Sequence, residues 1–95
     1  MPAYVIVEIT VHNPEEYEEY KALSLPSLKP FNGRFIVRGG KTITLEGDWK
    51  PERIVVLEFP DQIKALEWYK SDLYCKAKDI RLRTASTKMI LVDGV

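Results

Sequence analysis

The stretch from Asn32 to Phe59, NGRFIVRGGKTITLEGDWKPERIVVLEF, admits few arrangements. Two runs rich in β-branched and aromatic residues are separated by turn formers, which predicts an antiparallel ribbon. Gly33 opens it, and Phe35 and Val37 alternate with Arg34, Ile36 and Arg38. Gly39-Gly40 reads either as a two-residue hairpin turn or as a bulge within one long strand. The bulge is the better reading, because Gly47-Asp48-Trp49-Lys50-Pro51 is the more complete turn signal and leaves Ile43 to Glu46 in the strand. Arg53 to Phe59 follows as the second strand, with Val55, Leu57 and Phe59 on one face and Ile54, Val56 and Glu58 on the other.

The remaining segments fit around this ribbon. Ala3 to Val11 alternates with period 2, placing Ala3, Val5, Val7, Ile9 and Val11 on a wholly apolar face and Tyr4, Ile6, Glu8 and Thr10 on a mixed one. Asn13-Pro14-Glu15-Glu16 starts a helix, with Asn13 as N-cap, Pro14 at its first position and acids at the positive end of its dipole. Tyr17, Tyr20, Leu23 and Leu28 line its buried stripe. Pro26 is expected to break or kink it, leaving a short second segment before Phe31. Pro60-Asp61 begins a helix running to about Lys70, with Ile63, Leu66 and Tyr69 toward the core. Ser71-Asp72 caps another, burying Leu73, Ala77 and Ile80. Thr84 to Val92 is the last strand, with Met89 and Leu91 opposite Lys88, Ile90 and Val92.

This order, β-α-β-β-α-β, predicts a single α+β domain over residues 1–95 with the ferredoxin-like arrangement: an antiparallel sheet with helices on one face. The uncovered face would carry Tyr4, Ile6, Ile36, Ile54, Val56, Ile90 and Val92, too apolar to stand in water. A second copy packed sheet to sheet solves that problem, so a homodimer is expected. Lys+Arg and Asp+Glu stand at 14 each, so no global field favours nucleic acid or an anionic membrane as partner. Glu8 interrupts the N-terminal apolar run too early for a signal peptide, no stretch has the length to span a bilayer, and the single cysteine forms no internal disulfide. A cytoplasmic protein is the resulting expectation.

The segments GRFIVRGG, LEG-x-W-x-P-x-R-IVVLEFP and A-x-x-WYKS closely resemble the signature of DUF1330, a family of unknown function in the dimeric α/β-barrel superfamily. The resemblance runs from the first strand and its Asn-Pro-Glu helix start to the closing Val-Asp-Gly. It implies a ferredoxin-like protomer and a homodimeric barrel. Relatives in the wider superfamily include cofactor-free monooxygenases of aromatic compounds, lactone isomerases, haem enzymes and ligand-sensing domains. Where members often carry Ser-Pro-Glu-Tyr-Gln, this chain has Ser71-Asp72-Leu73-Tyr74-Cys75, which removes the Glu and Gln of that segment from consideration.

Candidate catalytic residues are Glu8, Arg38 and Glu58, which strand parity places with Arg34 on the mixed face. With the first and third strands side by side and parallel, Glu8 and Glu58 become neighbours and Arg38 comes within ion-pair reach of one of them, in the same protomer or across the dimer. Two carboxylates and an arginine suit an anionic or enolic ligand, one carboxylate serving as general base; the plainer role is ion pairs that fix the dimer register. Arg34, Trp49, Tyr69 and His12 are the ligand-binding candidates. Trp49, Trp68, Tyr69 and Tyr74 offer surface for a planar apolar ligand, or else simply pack. His12, the sole histidine, is either a base at the barrel mouth, a haem ligand by superfamily analogy, or a plain loop residue. Cys75 reads as an incidental thiol, and Lys76, Lys78, Arg81 and Arg83 as a solvated face suited to a helix C-terminus. No metal-ligand constellation and no nucleotide loop occurs, so the expectation is no metal and no cofactor. Two readings stay open: a small-molecule enzyme-like barrel of the cofactor-free monooxygenase or isomerase kind, and a non-catalytic homodimeric binding or sensing module.

Overall fold

The computed structural model describes every residue, 1–95. The elements in order are β1 (Ala3–Val11), α1 (Pro14–Leu28), a 3-10 turn (Lys29–Phe31), β2 (Arg34–Arg38), β3 (Arg53–Phe59), α2 (Gln62–Lys70), α3 (Asp72–Thr84) and β4 (Ala85–Asp93). They form one antiparallel sheet in the order β2-β3-β1-β4, the ferredoxin-like α+β arrangement. β1 and β3 run antiparallel, correcting the parallel pairing expected from the sequence. In a split βαβ unit, β1 and β2 share a direction and β3 is inserted antiparallel between them.

Period 2 decides which side of the sheet is covered. Ala3, Val5, Val7 and Ile9 of β1 and Val55, Leu57 and Phe59 of β3 are buried against Tyr17, Leu28, Ala65, Trp68, Tyr74 and Ala77 of the helices. Each helix begins at a side-chain cap: Asn13 Oδ1 accepts from Glu16 N at 3.2 Å, Asp61 Oδ1 from Lys64 N at 2.8 Å, and Ser71 Oγ from Tyr74 N at 3.1 Å. Pro26 does not break α1, which continues to Leu28. It lies in the last turn, where few backbone bonds remain to lose. The short segment expected before Phe31 is present as the 3-10 turn.

The inward faces of α2 and α3 differ from those expected. Trp68 and Tyr74 are buried, their rings 4.0 Å apart, while Ile63, Leu66 and Leu73 are exposed. Large rings bury more surface than aliphatic side chains, so they set the helix rotation. Arg81, expected on a solvated face, is only 4% exposed.

The ribbon also departs from expectation. The bulge falls between Phe35 and Val37, not at Gly39-Gly40. Residues 41–52 form no strand, so Ile43 to Glu46 leave the sheet. Gly39 turns the chain away at φ 74°, its N–H still donating to Ile54 O at 2.9 Å. A Cβ there would meet the tip of the Arg53 side chain at 2.5 Å, which can shift, so it is the positive φ that favours glycine. The loop crosses the sheet's outer face, where the Trp49 indole donates to Glu8 Oε1 at 3.1 Å and Thr44 Oγ1 donates to Trp49 O at 2.5 Å. Ile36, Val37, Ile90 and Val92 remain exposed on the sheet, as do Ile43, Leu45 and Trp49 of the loop.

Gly33 joins the 3-10 turn to β2 over a filled core. A Cβ would lie 2.5 Å from the Phe59 ring and 3.1 Å from Leu28 Cδ2. Gly33→Ala is therefore expected to cost about 1–3 kcal/mol by overpacking. Denaturant unfolding checks this, and an unchanged midpoint would count against so tight a contact.

Candidate functional site

Two rungs of the sheet carry charge onto the helix-covered face. On the first, Arg38 pairs with Val55, which pairs with Val7 and then Met89. On the second, Arg53 pairs with Ile9, which pairs with Thr87. The bulge beside Ile36 sends Arg38 inward, since the extra residue reverses the alternation that began at Arg34.

These rungs and α1 enclose a cleft of about 30 Å³ whose fourteen lining residues include Tyr17, Tyr20, Lys21, Ser24, Phe35, Arg38, Arg53 and Trp68, and no carboxylate. The Arg38 guanidinium lies over the Phe35 ring, 4.4 Å from its centroid. Arg53 Nε is buried with no hydrogen-bond partner, and so is Arg81 Nε, although Arg81 Nη1 donates to the Thr87 hydroxyl. None of these three arginines belongs to any of the four ion pairs in the chain.

The aromatic wall is tied together by hydrogen bonds. The Trp68 indole donates to Ser27 Oγ at 3.0 Å, and Ser27 Oγ donates to Ser24 O at 2.5 Å. The Tyr20 and Tyr74 hydroxyls meet at 3.0 Å. Burial raises the Tyr17 phenol above its ordinary value of 10.0, against a lowering pull from Arg53, Arg81 and Arg38. Burial, reinforced by the adjacent Tyr74, drives Tyr20 much further up. Both phenols are therefore protonated donors at neutral pH, not bases.

The residues singled out from the sequence separate into several places. Arg38 lies in the cleft. Glu58 lies on the outer face, where Arg34 Nε and Nη2 reach its Oε1 at 2.7 and 2.6 Å. It also faces Tyr4, whose phenol it holds above 10.0 chiefly by accepting its hydrogen bond. Glu8 is opposite Ile54, four residues along the strand from the Tyr4–Glu58 pair, or about 13 Å away. Glu8, Arg38 and Glu58 thus do not meet within the protomer, and Arg34 holds the ion pair expected of Arg38. The antiparallel pairing separates the carboxylates, and the bulge removes the arginine to the other face.

His12 is exposed at the end of β1, its Nε2 2.7 Å from Ser86 Oγ. Tyr69 is half-buried, with Lys78 Nζ 4.5 Å from its ring centroid, and lines a separate apolar groove with Leu66, Met89 and Ile90. Cys75 Sγ donates to Lys70 O at 3.8 Å. No three His, Cys, Asp or Glu side chains gather as a metal site.

Sequence reasoning passed over Arg53, Tyr17, Tyr20 and Arg81 as site residues. For Arg53 the signal was available: it shares parity with Val55, Leu57 and Phe59, an arginine on the core face. The tyrosines were legible only as core.

A phenol held protonated in the fold but free to ionise when unfolded stabilises the fold fully below pH 10.0 and loses that contribution as pH rises beyond it. The melting temperature is expected to fall steeply from about pH 10 to 12. Tyr20→Phe should cost about 1 kcal/mol at pH 7 through the lost hydroxyl pair, yet show a shallower alkaline decline. Parallel declines in the two proteins would exclude Tyr20 as a cause.

The fold recurs in solved structures of low sequence identity. A protein of unknown function from Rhodopseudomonas palustris aligns with a TM-score of 0.81 at 17% identity, over 99% of this chain and 82% of its own. A dimeric ferredoxin-like protein of unknown function from Jannaschia sp. gives 0.73 at 15%, over 99% and 100%. SnoaB, a cofactor-independent oxygenase from Streptomyces nogalater, gives 0.66 at 13%, over 99% and 93%. No curated protein matches the chain, and no helix is long and apolar enough to cross a membrane. The profile of the domain of unknown function DUF1330 matches residues 2–95, and the chain belongs to that family.

Proposed function

We propose that the protein is a homodimer, its two sheets packed outer face to outer face, in which each protomer binds a small organic molecule between sheet and helices. The observation that carries the ligand is the cleft itself, apolar over ten of its fourteen lining residues yet holding the unpaired guanidinium groups of Arg38 and Arg53. Apolar walls with a few convergent polar groups are the usual make-up of a small-molecule site. The dimer is supported by the exposed Ile36, Val37, Ile90 and Val92 and by the neighbour from Jannaschia described as dimeric. In this arrangement the Arg34–Glu58 pair and the Trp49–Glu8 contact lie at the interface and fix its register, while Tyr69 and His12 stay outside the cleft.

The likeness to SnoaB raises cofactor-free oxygenation as the reaction class. Such chemistry would rely on orientation, exclusion of water and phenol donors, which Tyr17 and Tyr20 supply. A non-catalytic binding or sensing role is favoured by one observation: neither a carboxylate nor a histidine lines the cleft to take a proton. Binding is therefore the primary reading, with catalysis confined to substrates that ionise without a protein base.

Val56→Lys would place an ammonium at the centre of the apolar interface, between Val37 and Ile6 in the register. Dimerisation should weaken by roughly two orders of magnitude, about 2.7 kcal/mol, in sedimentation at micromolar concentration. A wild-type protein that sediments as a monomer would overturn the dimer. For the ligand, small aromatic molecules should shift the NMR signals of Phe35 and the Trp68 indole and leave Ile90 unmoved. Oxygen uptake with a bound compound that consumes it would then select catalysis over sensing.

A further inference from the structure

We infer that the cleft is selective for a carboxylate: a small organic acid enters with its carboxylate toward Arg53 and Arg38 and its apolar body against Phe35, Tyr20 and Met89. The inference rests on the small-molecule reading above and adds the charge of the ligand.

Three features carry it. First, both arginines are placed by the sheet itself, through the Arg53–Ile9 rung and the bulge that turns Arg38 inward. Arg38 is exposed at the mouth of the cleft, whereas Arg53 is half-buried with its Nε shielded from water, and desolvated charges are ordinarily paired. Here no acidic side chain lines the cleft, none of the chain's four ion pairs involves either arginine, and Arg53 Nε has no hydrogen-bond partner. Second, further cationic character stands behind the site. Arg81, almost wholly buried on α3, joins Arg53 and Arg38 in acting on the Tyr17 phenol, and its own Nε is unpartnered. Lys21 at the rim is already engaged by Glu18 at 3.3 Å. Third, the make-up of the lining selects among anions. The closed part of the cleft, about 30 Å³, takes the carboxylate alone, so the apolar body lies along its open and mostly apolar side. A phosphate would satisfy the guanidinium groups but leave the apolar part of the wall without a partner. A monoanion with an apolar body matches both parts of the wall.

The test uses benzoate, its neutral isostere benzamide and inorganic phosphate, titrated into the intact protein at low salt and followed through the Trp68 indole and Phe35 ring resonances. Benzoate should bind at least about tenfold more tightly than benzamide, and phosphate more weakly than benzoate. Arg53→Gln should bring benzoate and benzamide to within about twofold of each other while benzamide binding is kept. If that variant does not fold, Arg38→Gln tests the same loss, and the wild-type comparison needs no variant at all. Equal wild-type binding of benzoate and benzamide would overturn carboxylate selectivity and leave the small-molecule reading standing. Phosphate binding as tightly as benzoate, and depending on Arg53, would overturn it in favour of an inorganic oxyanion. No shift of the cleft resonances by either aromatic compound would overturn the small-molecule reading and this inference together.

Discussion

The Trp68 indole is the joint at which the helical layer is fastened to the sheet. It is almost fully buried, with ring centroids 5.3 Å from Phe59 of β3 and 4.0 Å from Tyr74 of α3, and it donates to Ser27 of α1. Burying on the order of 200 Å² of indole is worth roughly 5 kcal/mol before entropy is counted. The indole N–H would cost much of that gain if left unpaired, and Ser27 prevents it. Because Trp68 also lines the cleft, the packing that orders the helices shapes one wall of the site.

That dependence explains why polar residues can be accommodated so deep. Ser24 and Ser27 are small, satisfy their hydroxyls along their own helix, and leave room beneath α1 that larger side chains would fill. The arginines are a different case. The outer-face pair Arg34–Glu58, with the arginine largely exposed, contributes less than about 1 kcal/mol to folding. Arg53 has no comparable protein partner, so its place on the core face does not follow from stability alone. Residues that break a local rule without structural compensation are where function is most reasonably sought.

Much of the architecture was legible because period 2 and the caps are local signals. The parity of Ala3 to Val11 and of Arg53 to Phe59 foretold the buried face, and Asn13, Asp61 and Ser71 announced the helix starts. Helix faces were less legible: several aliphatic residues share each surface with Trp68 or Tyr74, and only tertiary packing decides which turns inward. The glycine pair misled for a related reason. Gly39-Gly40 looks like the natural bulge, yet the irregularity lies one turn of the alternation earlier, at Ile36, a residue with no bulge signature. Gly39 instead serves to leave the sheet and to receive the Arg53 side chain.

The site was misread through two errors, the parallel pairing of β1 and β3 that made neighbours of Glu8 and Glu58, and the missed bulge. Without the bulge, Arg38 shares a face with Arg34 and Glu58 and the three suggest an ion-pair cluster on the dimer side. With it, Arg38 joins Arg53 on the helix side, and the carboxylates stay behind. One inserted residue thus divides the charges of the ribbon between two faces: cations with no acid near them in the cleft, and paired charges around the apolar outer surface. The division is electrostatically coherent. An acid left on the cleft side would neutralise the arginines within the protomer, whereas an acid confined to the outer face keeps their field available to a molecule arriving from solution.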